Sequence, residues 1–236
     1  MSTSKPTVTR EAWTEARKAL LAKEKAFTRE RDALSAARRE LPMVKVEKSY
    51  IFEEPGGKRA LADLFEGKRQ LVVYHFMFDP SWDEGCKSCS YVADSFGGAI
   101  AHLAARDTSF AAISRAPLAK IEAFKKRMGW KFRWLSSSGS DFNYDYNVSF
   151  RPEDVAAGTV EYNYEKKPFP VSEAPGLSVF LREGNDIFHT YSTYGRGLDL
   201  LISTYNYLDL TPLGRQEEDL PYGMAWVRHH DKYDAT

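Results

Sequence analysis

The only two cysteines of this 236-residue chain lie three positions apart, in the segment HFMFDPSWDEGCKSCSY at residues 75–91. An apolar strand is predicted before Cys86, and a helix is predicted to start at the cysteines. A helix N-terminus has unpaired N–H groups and a partial positive charge, both of which favour a thiolate. We therefore predict that Cys86 is the nucleophile and that Cys89, one turn further into the helix, is a shielded resolving thiol.

Two other interpretations of the cysteine pair stay open. The cysteines could be half of a metal site, or two small apolar side chains packed in the core. The neighbouring charges do not decide between them. Lys87 lies between the cysteines and would stabilise a thiolate, whereas Asp83 and Glu84 would oppose it. The direction of the net change in thiol pKa is therefore not predicted.

A metal site at the cysteines would need histidines as further ligands. His75 on the central strand and His189 within DIFHTYST are each more typical of packed strand positions than of ligands. With Cys86 and Cys89 they would complete a Cys2His2 site for zinc or copper. We expect no cofactor and weak or absent metal binding, because only two thiols exist and structural zinc sites usually have four protein ligands.

Three further side chains could contribute to a site. Arg115 follows the apolar strand TSFAAIS, and α/β sheets bind ligands just outside the ends of such strands. Its alternative role is an ion pair with a carboxylate. His229 and His230, in VRHHDKY, are interpreted as part of a solvated tail unless that tail covers the cleft.

Composition argues against several classes of protein. Lys plus Arg and Asp plus Glu both number 33, and no basic run is interleaved with aromatic residues, so nucleic-acid binding is not expected. The chain has no run of 18 or more apolar residues, so a membrane span is not expected. The first 40 residues are charged throughout and do not resemble a secretory signal, which favours the cytoplasm. In that compartment a CxxC pair is more often catalytic or metal-binding than structural.

A long polar helix is predicted from residue 9 to about residue 40, because this segment has no internal Gly or Pro and Pro42 follows it. Its large apolar residues form a narrow stripe with a spacing of seven: Trp13, Leu20, Phe27, Leu34 and Leu41. Such a stripe is too thin to lie inside a core. It predicts a helix that either pairs with a second copy, giving a homodimer, or docks on its own domain.

From residue 48 the pattern changes to short alternating strands. The order of elements is strand, PGG turn, strand, then β-α-β-α-β, a hairpin with a Gly-Asn turn, and the helix GLDLLISTYNYL. The segment SYVADSFGGAIAHLAARD after the cysteines is read as one helical stretch. This order predicts a mixed central sheet flanked by helices. We divide the chain into an N-terminal helical extension at 1–42, an α/β domain at 43–212, and a tail at 213–236 that is packed on the domain or disordered.

Specific phrases resemble known families. The segment GGKRALADLFEGKRQLVVYHF resembles the start of the peroxiredoxin and thioredoxin-like group, in which a central strand leads to the reactive cysteine. EAWTEARKALLAKEKA, YHFMF, CKSCSY, SRAPLAKIEAFKKRMGW and SDFNYDYNVSF resemble a bacterial family known as domain of unknown function 899, which is described as thioredoxin-like. The resemblance implies an α/β thioredoxin-like fold with a mixed central sheet, plus the long N-terminal helix.

The resemblance also implies a substrate groove beside the cysteines, and we assign Trp82, Lys87, Arg115 and Pro175 to it. In thioredoxin-like proteins a cis-proline precedes the strand next to the CxxC, and Pro175 is the matching position. Whether its peptide bond is cis or trans stays open. Two departures from peroxiredoxins argue against peroxide activation: Asp83 occupies the position of their Thr or Ser, and Gly176 that of their arginine.

The sequence thus predicts a cytoplasmic thioredoxin-like thiol–disulfide oxidoreductase acting through Cys86 and Cys89. Its expected substrate is a disulfide-containing protein, or a small thiol or peroxide. The alternatives are a copper- or zinc-binding protein that uses the cysteines with a histidine, and a redox-inactive interaction protein. No nucleic-acid or membrane partner is expected.

Overall fold

A computed structural model describes residues 5–234 of the chain. The chain divides into two units, Met1–Pro42 and Met43–Thr236. Within residues 5–234, no helix combines the length and the apolar composition needed to cross a membrane.

The first unit is dominated by one helix, α1, over Arg10–Arg39. Thr9 begins it as the N-cap residue, because its side-chain oxygen accepts a hydrogen bond from the backbone N–H of Ala12 at 3.2 Å. Glu11 lies in the first turn and Arg38 and Arg39 in the last, where each charge opposes the local end of the helix dipole. The helix fully buries none of its side chains.

The second unit contains ten strands and six further α-helices among the described residues. The strands are β1 Val44–Lys45, β2 Ile51–Glu54, β3 Gly57–Ala60, β4 Gln70–His75, β5 Thr108–Ser114, β6 Trp134–Ser136, β7 Val160–Tyr162, β8 Glu165–Lys167, β9 Gly176–Glu183 and β10 Asp186–Tyr194. The helices are α2 Lys87–Ala93, α3 Phe96–Ala104, α4 Leu118–Arg127, α5 Phe142–Asp145, α6 Pro152–Ala157 and α7 Ser203–Leu208. Short 3-10 helices cover Leu61–Phe65, Gly195–Leu201 and His230–Lys232.

Eight of these strands form one mixed sheet in the order β1-β10-β9-β4-β5-β6-β2-β3. Strands β4, β5 and β6 are parallel, and the antiparallel hairpin β9-β10 joins the other side of β4. A parallel β-α-β unit next to an antiparallel hairpin is the mixed arrangement that the resemblance implied. The expected α/β fold with a mixed central sheet flanked by helices is confirmed, together with its long N-terminal helix.

The two faces of the sheet bury different clusters. Successive side chains of a strand point to opposite faces. On β4, Tyr74 therefore packs with the helices that follow the cysteines, whereas Val73 packs with the Leu61–Phe65 helix and α5. Both clusters are rich in aromatic rings. The cysteine pair lies on the Tyr74 face.

Two predicted helices are interrupted. The stretch after the cysteines breaks between Ala93 and Phe96 into α2 and α3. The last helix begins as the 3-10 helix Gly195–Leu201 and becomes α-helical only at Ser203. Single-sequence periodicity cannot resolve such breaks, because an apolar face continues across them.

Candidate active site: the cysteine pair

The loop between β4 and α2 places Cys86 at the start of the helix. Backbone hydrogen bonds hold both ends of this loop: the N–H of Phe76 donates to the carbonyl of Ile113 at 2.9 Å, and the N–H of Cys86 donates to the carbonyl of Met77 at 3.0 Å. Gly85 is needed just before the cysteine, because an added Cβ would lie 2.7 Å from the ring of Phe76. Cys86 is the N-cap residue of α2.

The two cysteines have different environments. Both are free thiols, with Cys86 half-buried and Cys89 1% exposed. The hydrogen bond with the Cys89 thiol is the main cause that lowers the pKa of Cys86, and the backbone N–H groups of Cys89 and Ser88 add to it; burial opposes them. The resulting pKa is about 7. Burial, followed by the interaction with Cys86, raises the pKa of Cys89 well above its ordinary value.

Two neighbouring groups act on the buried thiol of Cys89. The backbone N–H of Met77 donates to its sulfur at 3.5 Å. The hydroxyl of Tyr74 is fully buried and has no hydrogen-bond partner among the described residues. Its interaction with Cys89 lowers the thiol pKa, in opposition to burial. Tyr74 and Met77 therefore favour the thiolate of Cys89 over its neutral form.

A cavity of about 350 Å³ opens beside Cys89. Its walls are mainly apolar and include Met77, Cys89, Pro175, Leu198, Ile202 and Met224. Cys86 does not line this cavity, although its neighbour Ser88 does. Arg196, Asp199 and Glu217 also line the cavity, so its mainly apolar wall carries charged groups as well.

The C-terminal segment contacts the cysteine loop directly. Lys87 donates a hydrogen bond from Nζ to the carbonyl of Ala225 at 3.1 Å. His229 is 6% exposed and hydrogen-bonds through Nε2 to the carbonyl of Gly85 at 2.8 Å. His229 is therefore not solvated and belongs to a segment that covers the cleft, the exception left open by the sequence, whereas His230 is exposed. The tail lies against α2 because its apolar side chains, Val227 among them, join the core on that face.

Glu217 organises the same segment. One of its carboxylate oxygens accepts hydrogen bonds from the Tyr205 hydroxyl at 2.7 Å, the Met224 N–H at 2.9 Å and the Trp226 indole N–H at 2.6 Å. The ring of Trp226 in turn contacts Tyr91 of α2 edge-on at 5.5 Å. Glu217 therefore lines the cavity with one oxygen already fully occupied.

Glu84, one of the two acidic residues before Cys86, has cationic partners of its own. Glu84 pairs with Arg127, and Lys232 donates to both of its oxygens at 2.8 Å. These partners lower the pKa of Glu84 and neutralise its charge. Lys87, predicted to support the thiolate, lies over the ring of Tyr222 and is the weakest of the resolved causes that lower the Cys86 pKa.

The residues assigned to a substrate groove lie in different places. Pro175 lines the cavity with Cys89. Residues 5–234 contain no cis peptide bond, so the bond before Pro175 is trans, and the cis form implied by the thioredoxin resemblance is absent. Trp82 is half-buried against the same core, and its carbonyl accepts from Lys120 at 2.9 Å. Gly176 has no room for a side chain, because a Cβ would lie 2.9 Å from Tyr194 and Val148.

Arg115 is fixed in a network of charges. Its Nη2 lies 2.7 Å from Asp79 and its Nε lies 2.6 Å from Glu173. A third donor contacts the Tyr144 hydroxyl. Asp79 also accepts from Ser81 and thereby shapes the loop that leads to Cys86. Arg115 thus makes the ion pairs of its alternative interpretation, and these pairs hold the cysteine loop.

The histidines of the metal interpretation lie on the other face of the sheet. His75 stacks on Phe142 and Tyr146 and hydrogen-bonds to Ser178 at 2.8 Å. His189 hydrogen-bonds to Ser192 at 2.7 Å, and the two serines contact each other at 2.8 Å. Burial lowers the pKa of His75 to about 3. Because Cys89 belongs to the opposite face, the structure does not bring the Cys2His2 set together.

Comparison with known families settles the relationship of the chain. Residues 2–233 match the family described as bacterial protein of unknown function (DUF899). The chain belongs to this family. The match spans both units and confirms the family resemblance of the sequence. No curated protein matches the chain in sequence.

The solved structures to which the chain is similar include peroxiredoxins. A cysteine variant of peroxiredoxin Q from Xanthomonas campestris is 15% identical, with a TM-score of 0.42 over 73% of this chain and 94% of that one. Peroxidoxin BcpB from Mycobacterium tuberculosis is 15% identical, with a TM-score of 0.44 over 71% and 97%. A secreted disulfide oxidoreductase from Mycobacterium tuberculosis is 17% identical, with a TM-score of 0.38 over 65% and 92%. At such low identity these similarities carry no information on activity.

Three residues of the site were not singled out from the sequence: Tyr74, Gly85 and Glu217. In the sequence, Tyr74 looks like any other apolar position of a buried strand. Gly85 looks like an ordinary loop glycine. Glu217 lies in a polar stretch that has no periodic pattern. For Gly85 the only signal was its residue type, since glycine is the usual residue where a side chain has no room.

Proposed function

We propose that the protein is a thiol–disulfide oxidoreductase in which Cys86 is the nucleophile and Cys89 the resolving thiol. The observation that carries the proposal is the inequality of the two thiols: Cys86 is half-buried with a pKa of about 7, and Cys89 is buried with a raised pKa. At neutral pH, Cys86 is then substantially ionised while Cys89 keeps its proton. That proton lets Cys89 donate the hydrogen bond that stabilises the Cys86 thiolate.

In the first step, the Cys86 thiolate attacks a substrate disulfide. A bond forms between Cys86 and one substrate sulfur, the substrate S–S bond breaks, and the other sulfur leaves as a thiolate. The negative charge at Cys86 is thereby lost. Because that charge is one cause of the raised pKa of Cys89, the Cys89 pKa then falls, and Tyr74 and Met77 continue to favour its thiolate.

In the second step, Cys89 gives its proton to the departed thiolate and attacks the Cys86 sulfur. The Cys86–Cys89 bond forms and the second half of the substrate leaves as a thiolate. The substrate has then gained two electrons and the protein holds an intramolecular disulfide. A dithiol reductant must return it to the two free thiols. Such a cycle suits a reducing compartment such as the cytoplasm, with a protein disulfide or a small disulfide as substrate.

The proposal is tested with the chromogenic disulfide 5,5′-dithiobis(2-nitrobenzoate) on the full-length protein. We expect the reduced wild type to release two equivalents of thiolate and to lose the mass of two hydrogens. Cys89→Ser should release one equivalent and retain the aryl adduct on Cys86, and Cys86→Ser should react only slowly, because Cys89 is buried.

Ser88→Ala is the matched control, because Ser88 lies between the cysteines and donates only its backbone N–H to Cys86. It should behave as the wild type. Two stable adducts on the wild type, or equal rates for the two cysteine variants, would contradict a nucleophile and resolving pair.

A further inference from the structure

The apolar stripe of helix α1 is not covered by residues of its own unit. The exposed fractions of Trp13, Leu20, Phe27, Leu34 and Leu41 lie between 47% and 69%. At 1.5 Å per residue the 30-residue helix is about 45 Å long, and its stripe extends over its full length. A continuous row of exposed apolar side chains is unfavourable in water. Burial of this row against a partner surface would therefore be stabilising.

The stripe has three parallel columns. The large residues form one edge, and a column of alanines forms the other: Ala12, Ala19, Ala26 and Ala33. Between them lies a column of residues three or four positions from each edge: Ala16, Lys23, Glu30 and Ala37. Spacings of three and four place residues on one helix face, so Lys23 and Glu30 lie at the centre of the stripe.

A strict spacing of seven identifies the kind of partner. It corresponds to 3.5 residues per turn, which keeps the stripe in contact with a second helix along a left-handed supercoil. The alanine edge allows two backbones to approach closely. These features favour another α-helix of the same length and period over a flat protein surface.

The central charges decide the identity and direction of that helix. In a parallel pairing of two copies in register, Lys23 would face Lys23 and Glu30 would face Glu30. In an antiparallel pairing centred between Ala26 and Phe27, each Lys23 faces Glu30 of the second copy. Like charges held at the centre of an interface are strongly unfavourable, whereas this antiparallel arrangement makes two opposite-charge pairs.

The column of large apolar residues is also consistent with an antiparallel pairing centred between Ala26 and Phe27. In the antiparallel arrangement Phe27 lies next to Phe27 of the second copy, and Leu20 next to its Leu34. Ala16 faces Ala37 of the second copy, and Trp13 lies next to its Leu41, which directly follows Glu40, the C-cap residue of α1. Every large residue of the stripe thereby obtains an apolar partner.

We propose that α1 pairs with α1 of a second copy as an antiparallel two-helix coiled coil centred between Ala26 and Phe27, fixed by Lys23–Glu30 pairs. The proposal is independent of the redox function. It assigns the exposed face of α1 to one occupant, a second copy of this chain.

Charge exchange on the full-length protein tests the pairing. Sedimentation equilibrium should show a dimer for the wild type. Lys23→Glu and Glu30→Lys should each weaken dimerisation by at least about tenfold, because each places like charges together. The double variant Lys23→Glu with Glu30→Lys should restore it. Lys25→Glu is the matched control, since Lys25 lies on the opposite side of the helix, and it should leave the dimer unchanged.

Cross-linking tests the direction of the helices. In a background with Cys86→Ser and Cys89→Ser, Leu20→Cys and Leu34→Cys are introduced into separate proteins, and the two are then mixed and oxidised. The antiparallel pairing should give mainly the mixed disulfide between the two variants. A monomeric wild type, including one whose helix docks on its own domain, would overturn the proposal, as would failure of the double variant to restore the dimer or a predominance of like-to-like disulfides.

Discussion

His229, close to the C-terminus, hydrogen-bonds through Nε2 to the carbonyl oxygen of Gly85 at 2.8 Å, directly before Cys86. Both residues are buried. The ring of His229 also packs edge-on against Phe124 at 5.2 Å, and its Nδ1 lies 3.3 Å from Arg127. The last residues of the described chain therefore fix the backbone that presents Cys86.

Removal of this contact should loosen the cysteine loop. His229→Ala leaves the buried carbonyl of Gly85 without its partner, and we expect the free energy of unfolding to fall by about 1–3 kcal/mol. Alkylation of Cys86 by iodoacetamide should become faster as the loop opens. Urea unfolding and mass spectrometry of the alkylated peptide measure the two effects.

His230→Ala provides the control for this prediction, because His230 is exposed and pairs only with Asp94 at the surface. It should change the free energy of unfolding by less than about 1 kcal/mol. Equal effects of the two substitutions would show that the Gly85 contact has no special role.

The reactivity of Cys86 should depend on Cys89 as a hydrogen-bond donor. In the wild type, the rate of alkylation at Cys86 should rise with pH through a midpoint at about 7. Cys89→Ala removes the largest cause of the lowered pKa, so the midpoint should move up towards the ordinary thiol value of about 8.5. Alkylation rates measured from pH 5 to 10 test this shift, and an unchanged midpoint would assign the low pKa to the helix N-terminus instead.

Gly85 should tolerate no side chain. In Gly85→Ala, the new Cβ would lie 2.7 Å from Phe76 and 2.8 Å from Phe124, and both rings are buried. We expect overpacking to lower the free energy of unfolding by about 1–3 kcal/mol. Gly98→Ala is the control: it lies in α3 with nothing within 4 Å of its added Cβ, so helix propensity should make it neutral or stabilising by up to about 1 kcal/mol. Thermal unfolding of both variants tests this difference. Equal melting temperatures would contradict the close packing at Gly85.

The free energy of unfolding should decrease as the pH rises, because Glu173 loses its proton. Burial raises the pKa of this carboxyl to about 7, although Arg115 and Ser149 oppose the effect. An acid with a raised pKa in the folded state binds more protons there than in the unfolded chain. Its stabilising contribution is complete below the unfolded pKa, near 4.5, and is lost as the pH rises through about 7.

The Glu173→Gln variant isolates this contribution. The wild type should lose free energy of unfolding between pH 5 and 7 relative to Glu173→Gln, measured by urea titration at each pH. Parallel pH profiles would mean that Arg115 keeps Glu173 ionised throughout. Above about pH 7, where Glu173 is ionised, Arg115→Ala should lower the free energy of unfolding by about 3–5 kcal/mol, because it leaves the carboxylates of Glu173 and Asp79 without their cation.

Local sequence patterns determined the parts of the protein that depend on near neighbours along the chain. The CxxC after a buried strand predicted that Cys86 caps a helix and that Cys89 lies buried within its first turn, and the structure has both. Absence of Gly and Pro between Thr9 and Pro42 predicted α1. In each case the deciding interactions join residues only a few positions apart, so periodicity and capping reveal them.

Contacts between segments that are distant in the sequence decided the other features of the site. Arg115 binds Asp79 and Glu173, which are 36 and 58 positions away, and His229 reaches Gly85 across 144 positions. No local pattern encodes such pairs. The same holds for the two sheet faces: alternation along β4 predicts that Tyr74 and His75 point in opposite directions, but not which direction meets the cysteines. Cys89 and His75 are on opposite faces because the helices after the cysteines pack on only one of them. The sequence of a strand does not determine which elements pack on each of its faces.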